Sequence, residues 1–132
     1  MDMTSASDPA ERQVLICRPA FQDSQQLLHR YHSRSELVRQ MLKLRWWDPD
    51  RPRVLDLAWS KIPETDLSEL FVDDAFGISD GLRVIFFAPP TSDTTVWVLG
   101  VRKVNEEFTE RTKAIFVGRS TIVLERRTDL DR

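Results

Sequence analysis

The sequence predicts an α+β fold: an N-terminal strand, a helical hairpin packed on a mainly antiparallel four-stranded sheet, and a C-terminal helix. Three observations carry that prediction. Between Gly81 and Lys103 the chain reads GLRVIFF, APPTSDTT and VWVLGVRK, two β-branched and aromatic runs around a turn-rich connector, which is the pattern of a β-hairpin. Two further runs, QVLICR at Gln13–Arg18 and LSELFV at Leu67–Val72, have the length and composition of strands. Between them, apolar residues recur at helical spacing.

In chain order, residues 1–12 form a polar tail, residues 13–125 a single domain, and residues 126–132 a polar C-terminal tail. The first strand is expected to stop at Pro19. Phe21, Leu27, Leu28 and Tyr31 then mark a first helix. After a break at His32–Arg34, Ser35 is placed to cap a second helix, whose stripe of Leu37, Val38, Met41, Leu42 and Leu44 ends at Trp46. Pro49 and Pro52 exclude helix from DPDRPR, and Val54–Trp59 reads as a brief extended piece. A loop, Asp73–Gly81, joins LSELFV to the hairpin. Beyond it Thr109 is a helix cap, with Thr112–Arg119 as the helix. Residues Ser120–Leu124 have strand propensity, so the helix has a second possible end near Gly118.

Composition bounds the function. The 132 residues, 41% hydrophobic and 30% charged, make a globular domain able to bury about two thirds of its unfolded surface. A net charge of -2 does not mark a general nucleic-acid binder, so any phosphate site must be a local patch. With one cysteine, Cys17, and two histidines, His29 and His32, neither an internal disulfide nor a metal cluster of the usual spacings is expected. The two histidines read as surface residues. No metal or other cofactor and no membrane partner is expected, and a cytoplasmic location follows as the default.

The hairpin runs are apolar on both faces, as in strands covered on both sides. Their polar exceptions are Arg83, opening the first strand, and Arg102 and Lys103, closing the second. Antiparallel pairing brings all three to one end. If Phe87 pairs with Val96, Arg83 falls opposite Gly100 and shares a face with Arg102, and the glycine leaves a gap for a ligand or another backbone. A one-residue slip exchanges Arg102 for Lys103. Like charges gathered on a sheet call for an anionic partner, unless the strand ends simply deliver charge to water. Arg45, Arg51 and Arg53 are read as paired with nearby aspartates or solvated. Trp46, Trp47 and Trp59 flank a Pro-containing stretch, where aromatics either anchor a partner or fold back as a minor core.

The order of these elements, with LSELFVD, GLRVIFF, VWVLGVRK, then Phe108-Thr109 and a last helix, resembles the RelE/ParE toxin superfamily, the RelE-like branch more than the ParE-like. The resemblance covers roughly residues 13–125. It implies a cognate antitoxin and, for the RelE branch, metal-independent cleavage of messenger RNA, often on the ribosome. Arg83 and either Lys103 or Arg102 match the basic residues that stabilise the phosphate, so Arg83, Arg102 and Lys103 are the candidate catalytic residues. Two departures stand out. Ser68, Glu69 and Phe71 occupy a strand that is often basic in such relatives, and Phe108 stands near the place where some have a proton-donating tyrosine. Glu69, if it shares the Arg83 face, is either a base, which would need a raised pKa, or, as the simpler reading, a partner that holds Arg83 in place. The alternative function is a non-catalytic ParE-like protein that inhibits DNA gyrase by contact, or a repurposed interaction protein.

Overall fold

The computed structural model describes residues 11–28, 31–50, 57–72, 81–89, 94–104 and 106–130. The expectations for the N-terminal tail, His29, Arg51 and Arg53, the loop 73–80 and the tip of the hairpin lie outside these residues. So do those for the side chains of Tyr31 and His32.

The chain folds as β1 (Gln13–Ile16), α1 (Arg18–Leu27), α2 (Tyr31–Leu42), a 3-10 turn (Lys43–Trp46), β2 (Trp59–Lys61), β3 (Leu67–Val72), β4 (Leu82–Phe87), β5 (Thr95–Lys103) and α3 (Glu110–Leu130). Five strands, rather than the expected four, form one sheet in the order β1-β5-β4-β3-β2. The additional strand is β2, an edge of three residues paired antiparallel to β3. The turn from it into β3 passes through the left-handed residue Glu64 (φ 66°), and the Thr65 hydroxyl braces this turn by donating to the Ile62 carbonyl at 2.8 Å. At the other edge β1 runs parallel to β5, and the remaining pairs are antiparallel.

Pro19 starts a helix instead of merely ending a strand. It sits in the first turn of α1, where a missing N–H costs nothing, after an extended Cys17 at the N-cap. The second helix likewise begins earlier than expected. Residues His32–Arg34, read as a break, lie within α2, and α1 closes at an extended Leu28. At the C-terminus Ser120–Leu124 is helical, and α3 runs on to Leu130, past both ends the sequence offered and through much of the expected tail. Strand propensity there yields to tertiary packing, because Phe116, Ser120 and Val123 fall on one helical face and are buried together.

The two apolar faces of the sheet build two cores. On one, Leu70, Val72, Val84, Phe86, Val96, Val98 and Val101 meet Ala20, Leu37, Met41 and Leu44 from α1, α2 and the 3-10 turn. On the other, Leu67, Ile85, Phe87 and Leu99 meet Phe116 and Val123 of α3. Trp47 and Trp59 belong to the first core: Trp47 packs edge-on against Phe86 and Trp59, with ring centroids 5.1 and 5.2 Å away. For these two tryptophans the minor-core reading holds. Trp46 stays half-buried beside Arg45, whose guanidinium lies 5.7 Å from its ring. No helix among the described residues is long and apolar enough to cross a membrane.

Thr109 caps α3 as its position implies. Its hydroxyl accepts from the Thr112 N–H at 3.1 Å, and its carbonyl accepts the first helical bond, from Lys113, at 3.0 Å. Replacing Thr109 with alanine is expected to cost about 1 kcal/mol, visible as a lower urea midpoint with an unchanged slope. An unaltered midpoint would remove the cap from the account of this helix.

Candidate functional site

The hairpin register differs from the simple ladder. Phe87 pairs with Trp97 and Phe86 with Val98, but Ile85 pairs with Gly100, leaving Leu99 as an extra residue in β5. This bulge moves every later residue of β5 one place along. The ladder also starts one residue further along β5 than expected, with Phe87 opposite Trp97 rather than Val96, so the two steps together set Arg83 directly opposite Arg102, not opposite Gly100. Lys103 pairs with Leu82, on the opposite face of the sheet. The structure therefore joins Arg83 with Arg102 and sets Lys103 apart from them at the strand end.

The expected gap at Gly100 is filled from two sides. A Cβ there would collide with the Phe116 ring and the Arg119 guanidinium, and would come 2.8 Å from the Asp23 carboxylate. Neighbouring helices, not a ligand, are what approach this glycine.

Each arginine of the pair rests on an aromatic ring. The Arg83 guanidinium carbon lies 4.3 Å from the centroid of Phe71, its cross-strand neighbour on β3, and Arg102 lies 4.3 Å from Phe108. Two directly paired guanidinium groups repel each other, and one acidic side chain answers only one of them. Glu69 reaches across β4 to Arg102 at 3.2 Å, with the two side chains only 15% and 13% exposed. This corrects the expected pairing of Glu69 with Arg83. Arg102 also donates to the Lys103 carbonyl at 3.3 Å, while its Nε is buried without a partner.

Arg83 is less committed. It donates to the Leu82 carbonyl at 3.2 Å, is partly exposed, and makes no ion pair among the described residues. The contact with Phe71 holds the guanidinium over the ring and leaves most of its N–H donors for another acceptor. That suits a phosphate, whose oxygens can take two parallel hydrogen bonds from one guanidinium.

Among the described residues, proton-transfer groups are scarce nearby. Phe108 has no proton to give, the Thr109 hydroxyl is engaged at the helix cap, and Glu69 is held by Arg102. No group of three His, Cys, Asp or Glu able to hold a metal occurs among the described residues. Sequence reasoning missed the two stacking partners. Phe71 was legible as a same-face neighbour of Glu69, but its position beside Arg83 depends on the pairing of β3 with β4.

A second concavity, of about 640 Å³, lies near the start of β5, between Trp97, the start of α1 and Ile122 and Val123 of α3. Cys17 lines it. Burial pushes the Cys17 thiol up from its ordinary range, against the opposing pull of Arg119 and Arg126. Trp97 and Arg102 are five residues apart on one strand, roughly 17 Å, so this cleft is separate from the paired arginines.

No family model matches the sequence, and no curated protein matches it. A solved structure that it does resemble is the Escherichia coli toxin RelE, in a free-state variant carrying two arginine-to-alanine substitutions. The similarity has a TM-score of 0.52 at 15% sequence identity and spans 83% of this chain and 97% of that one. At that identity the likeness speaks for the architecture alone: the chain has the fold of E. coli RelE.

Proposed function

We propose that this chain is a RelE-like toxin of a toxin-antitoxin module, acting as a metal-independent messenger-RNA endoribonuclease, with a cognate antitoxin as its protein partner. The observation that carries this reading is the direct pairing of Arg83 with Arg102 on one face of a RelE-like sheet, with Glu69 neutralising only Arg102. A guanidinium resting over Phe71 with no ion-pair partner among the described residues is suited to a phosphodiester.

In the reaction, a base removes the ribose 2'-hydroxyl proton and the oxygen attacks the adjacent phosphorus. The 5'-oxygen leaves with a proton, and charge accumulates on the phosphate oxygens in between. Arg83 would bond those oxygens as their charge grows, which lowers the barrier rather than merely tightening binding. Arg102 sustains the local positive potential, and Lys103 supplies charge for the RNA backbone at the strand end. Because the nearby acid and base positions among the described residues are occupied or apolar, the proton transfers would fall to groups that the ribosome or solvent brings, which favours a ribosome-dependent enzyme.

The same scarcity favours one other reading, a ParE-like toxin that binds DNA gyrase without chemistry. Inducible expression in a bacterium separates the two. Rapid loss of labelled amino-acid incorporation with growth arrest is expected for the ribonuclease. Arrest with translation initially intact and supercoiling impaired would support the gyrase reading instead. Unimpeded growth in the presence of folded protein would rule out a toxin in that host.

A further inference from the structure

Helix α3 is buried on one side only. Opposite Phe116, Ser120 and Val123, the exposed side carries Arg111, Ile115, Gly118, Ile122 and Glu125, at alternating steps of four and three residues, with Ala114 and Thr121 alongside. Ile115 and Ile122 are 50% and 49% exposed, unusual for isoleucines flanking the middle of a helix. Gly118 sits between them, and a Cβ there would meet nothing within 4 Å. A glycine inside a helix costs about 1 kcal/mol relative to alanine. The packing of this chain on itself does not require it, and close approach by another backbone would.

The residue pattern identifies that backbone. Positions equally far from Gly118 are complementary, a large residue with a small one and a cation with an anion. Three residues away stand Ile115 and Thr121, four away Ala114 and Ile122, and seven away Arg111 and Glu125. We propose that this face of α3 binds the same face of a second copy, antiparallel, across a two-fold axis through Gly118. Each isoleucine then packs against a small residue of the other copy, and Arg111 of one meets Glu125 of the other at both ends. A parallel arrangement would set Arg111 against Arg111 and Glu125 against Glu125. The Thr121 hydroxyl already donates to the Val117 carbonyl at 3.1 Å, so it brings no unsatisfied donor into the contact. A single helix pair makes an interface at the small end of the specific range, so the dimer should dissociate on dilution. The inference is independent of any RNA chemistry at Arg83.

Light scattering and sedimentation of the full chain over a concentration series test it. A concentration-dependent dimer is expected, weakened at least tenfold by Ile122→Glu. Arg111→Glu should also weaken it, and adding Glu125→Arg should restore it. These residues are exposed, so circular dichroism melts should match the natural chain. In a Cys17→Ser background, Gly118→Cys should oxidise to a covalent dimer, because the proposed axis brings position 118 beside itself, while the Arg111 and Glu125 charge reversals separate the antiparallel pair from a parallel one. Glu107→Cys should remain monomeric. A monomer up to about 1 mM, a dimer indifferent to Ile122→Glu, or occupation of this face by a different protein would overturn the proposal.

Discussion

Arg83→Ala is expected to reduce RNA cleavage, and with it growth arrest, by about 100-fold or more, while leaving stability within about 0.5 kcal/mol of the natural chain. The expected separation follows from how little the fold asks of this side chain. Among the described residues it donates to the neighbouring Leu82 carbonyl and has no ion-pair partner. Removing it also relieves the repulsion with Arg102 directly opposite. Arg83→Lys keeps the charge but loses the planar fork and the stacking on Phe71, so it should recover only part of the activity. Arg102→Ala differs in kind, because it strands the largely buried Glu69 carboxylate and should cost stability as well as activity. The comparison needs both a cleavage assay and a denaturation curve for each variant. Retention of activity within threefold by folded Arg83→Ala would remove this residue from the site.

The largest effect on stability is expected away from the arginine pair, at Asp23. Strand β1 ends at Ile16, so β5 loses its backbone partner on that side beyond Val98. Three groups replace it. The Cys17 N–H donates to the Val98 carbonyl at 2.9 Å, Arg119 donates to the Leu99 carbonyl at 3.0 Å, and the Asp23 carboxylate accepts from the Val101 N–H at 3.0 Å. Asp23 and Arg119 also pair with each other at 2.9 Å, with side chains only 19% and 23% exposed. Truncating Asp23 to alanine therefore leaves a backbone donor and a largely buried guanidinium without their acceptor. A loss of about 3 kcal/mol is expected, read from the urea midpoint. Asp23→Asn retains an acceptor for Val101 and should fall between. Gly100→Ala should damage the same junction from inside, since its Cβ would displace Phe116 and Arg119. A loss below about 0.5 kcal/mol for Asp23→Ala would show that solvent replaces the carboxylate here.

These expectations draw on two kinds of information. The sequence by itself determined the α+β class, the hairpin of Leu82–Lys103, strands apolar on both faces, the cap at Thr109 and the gathering of Arg83, Arg102 and Lys103 at one strand end. Each is a matter of local spacing: period two or period 3.6 reveals which side chains share a face, and a hydroxyl before a helix reveals its start. Tertiary structure alone decided the register. The alternation within a strand is indifferent to which residue of the next strand lies opposite, and a start one residue along, at Trp97, together with one extra residue at Leu99 set Arg83 against Arg102, with Lys103 on the other face. It also decided that Glu69 neutralises Arg102 and leaves Arg83 available, because that choice is made across a third strand. The fate of Trp47 and Trp59 was settled in the same way, as was the helical state of Ser120–Leu124. In each case the deciding partner lies far along the chain, where burial against it outweighs the local propensity of a few residues.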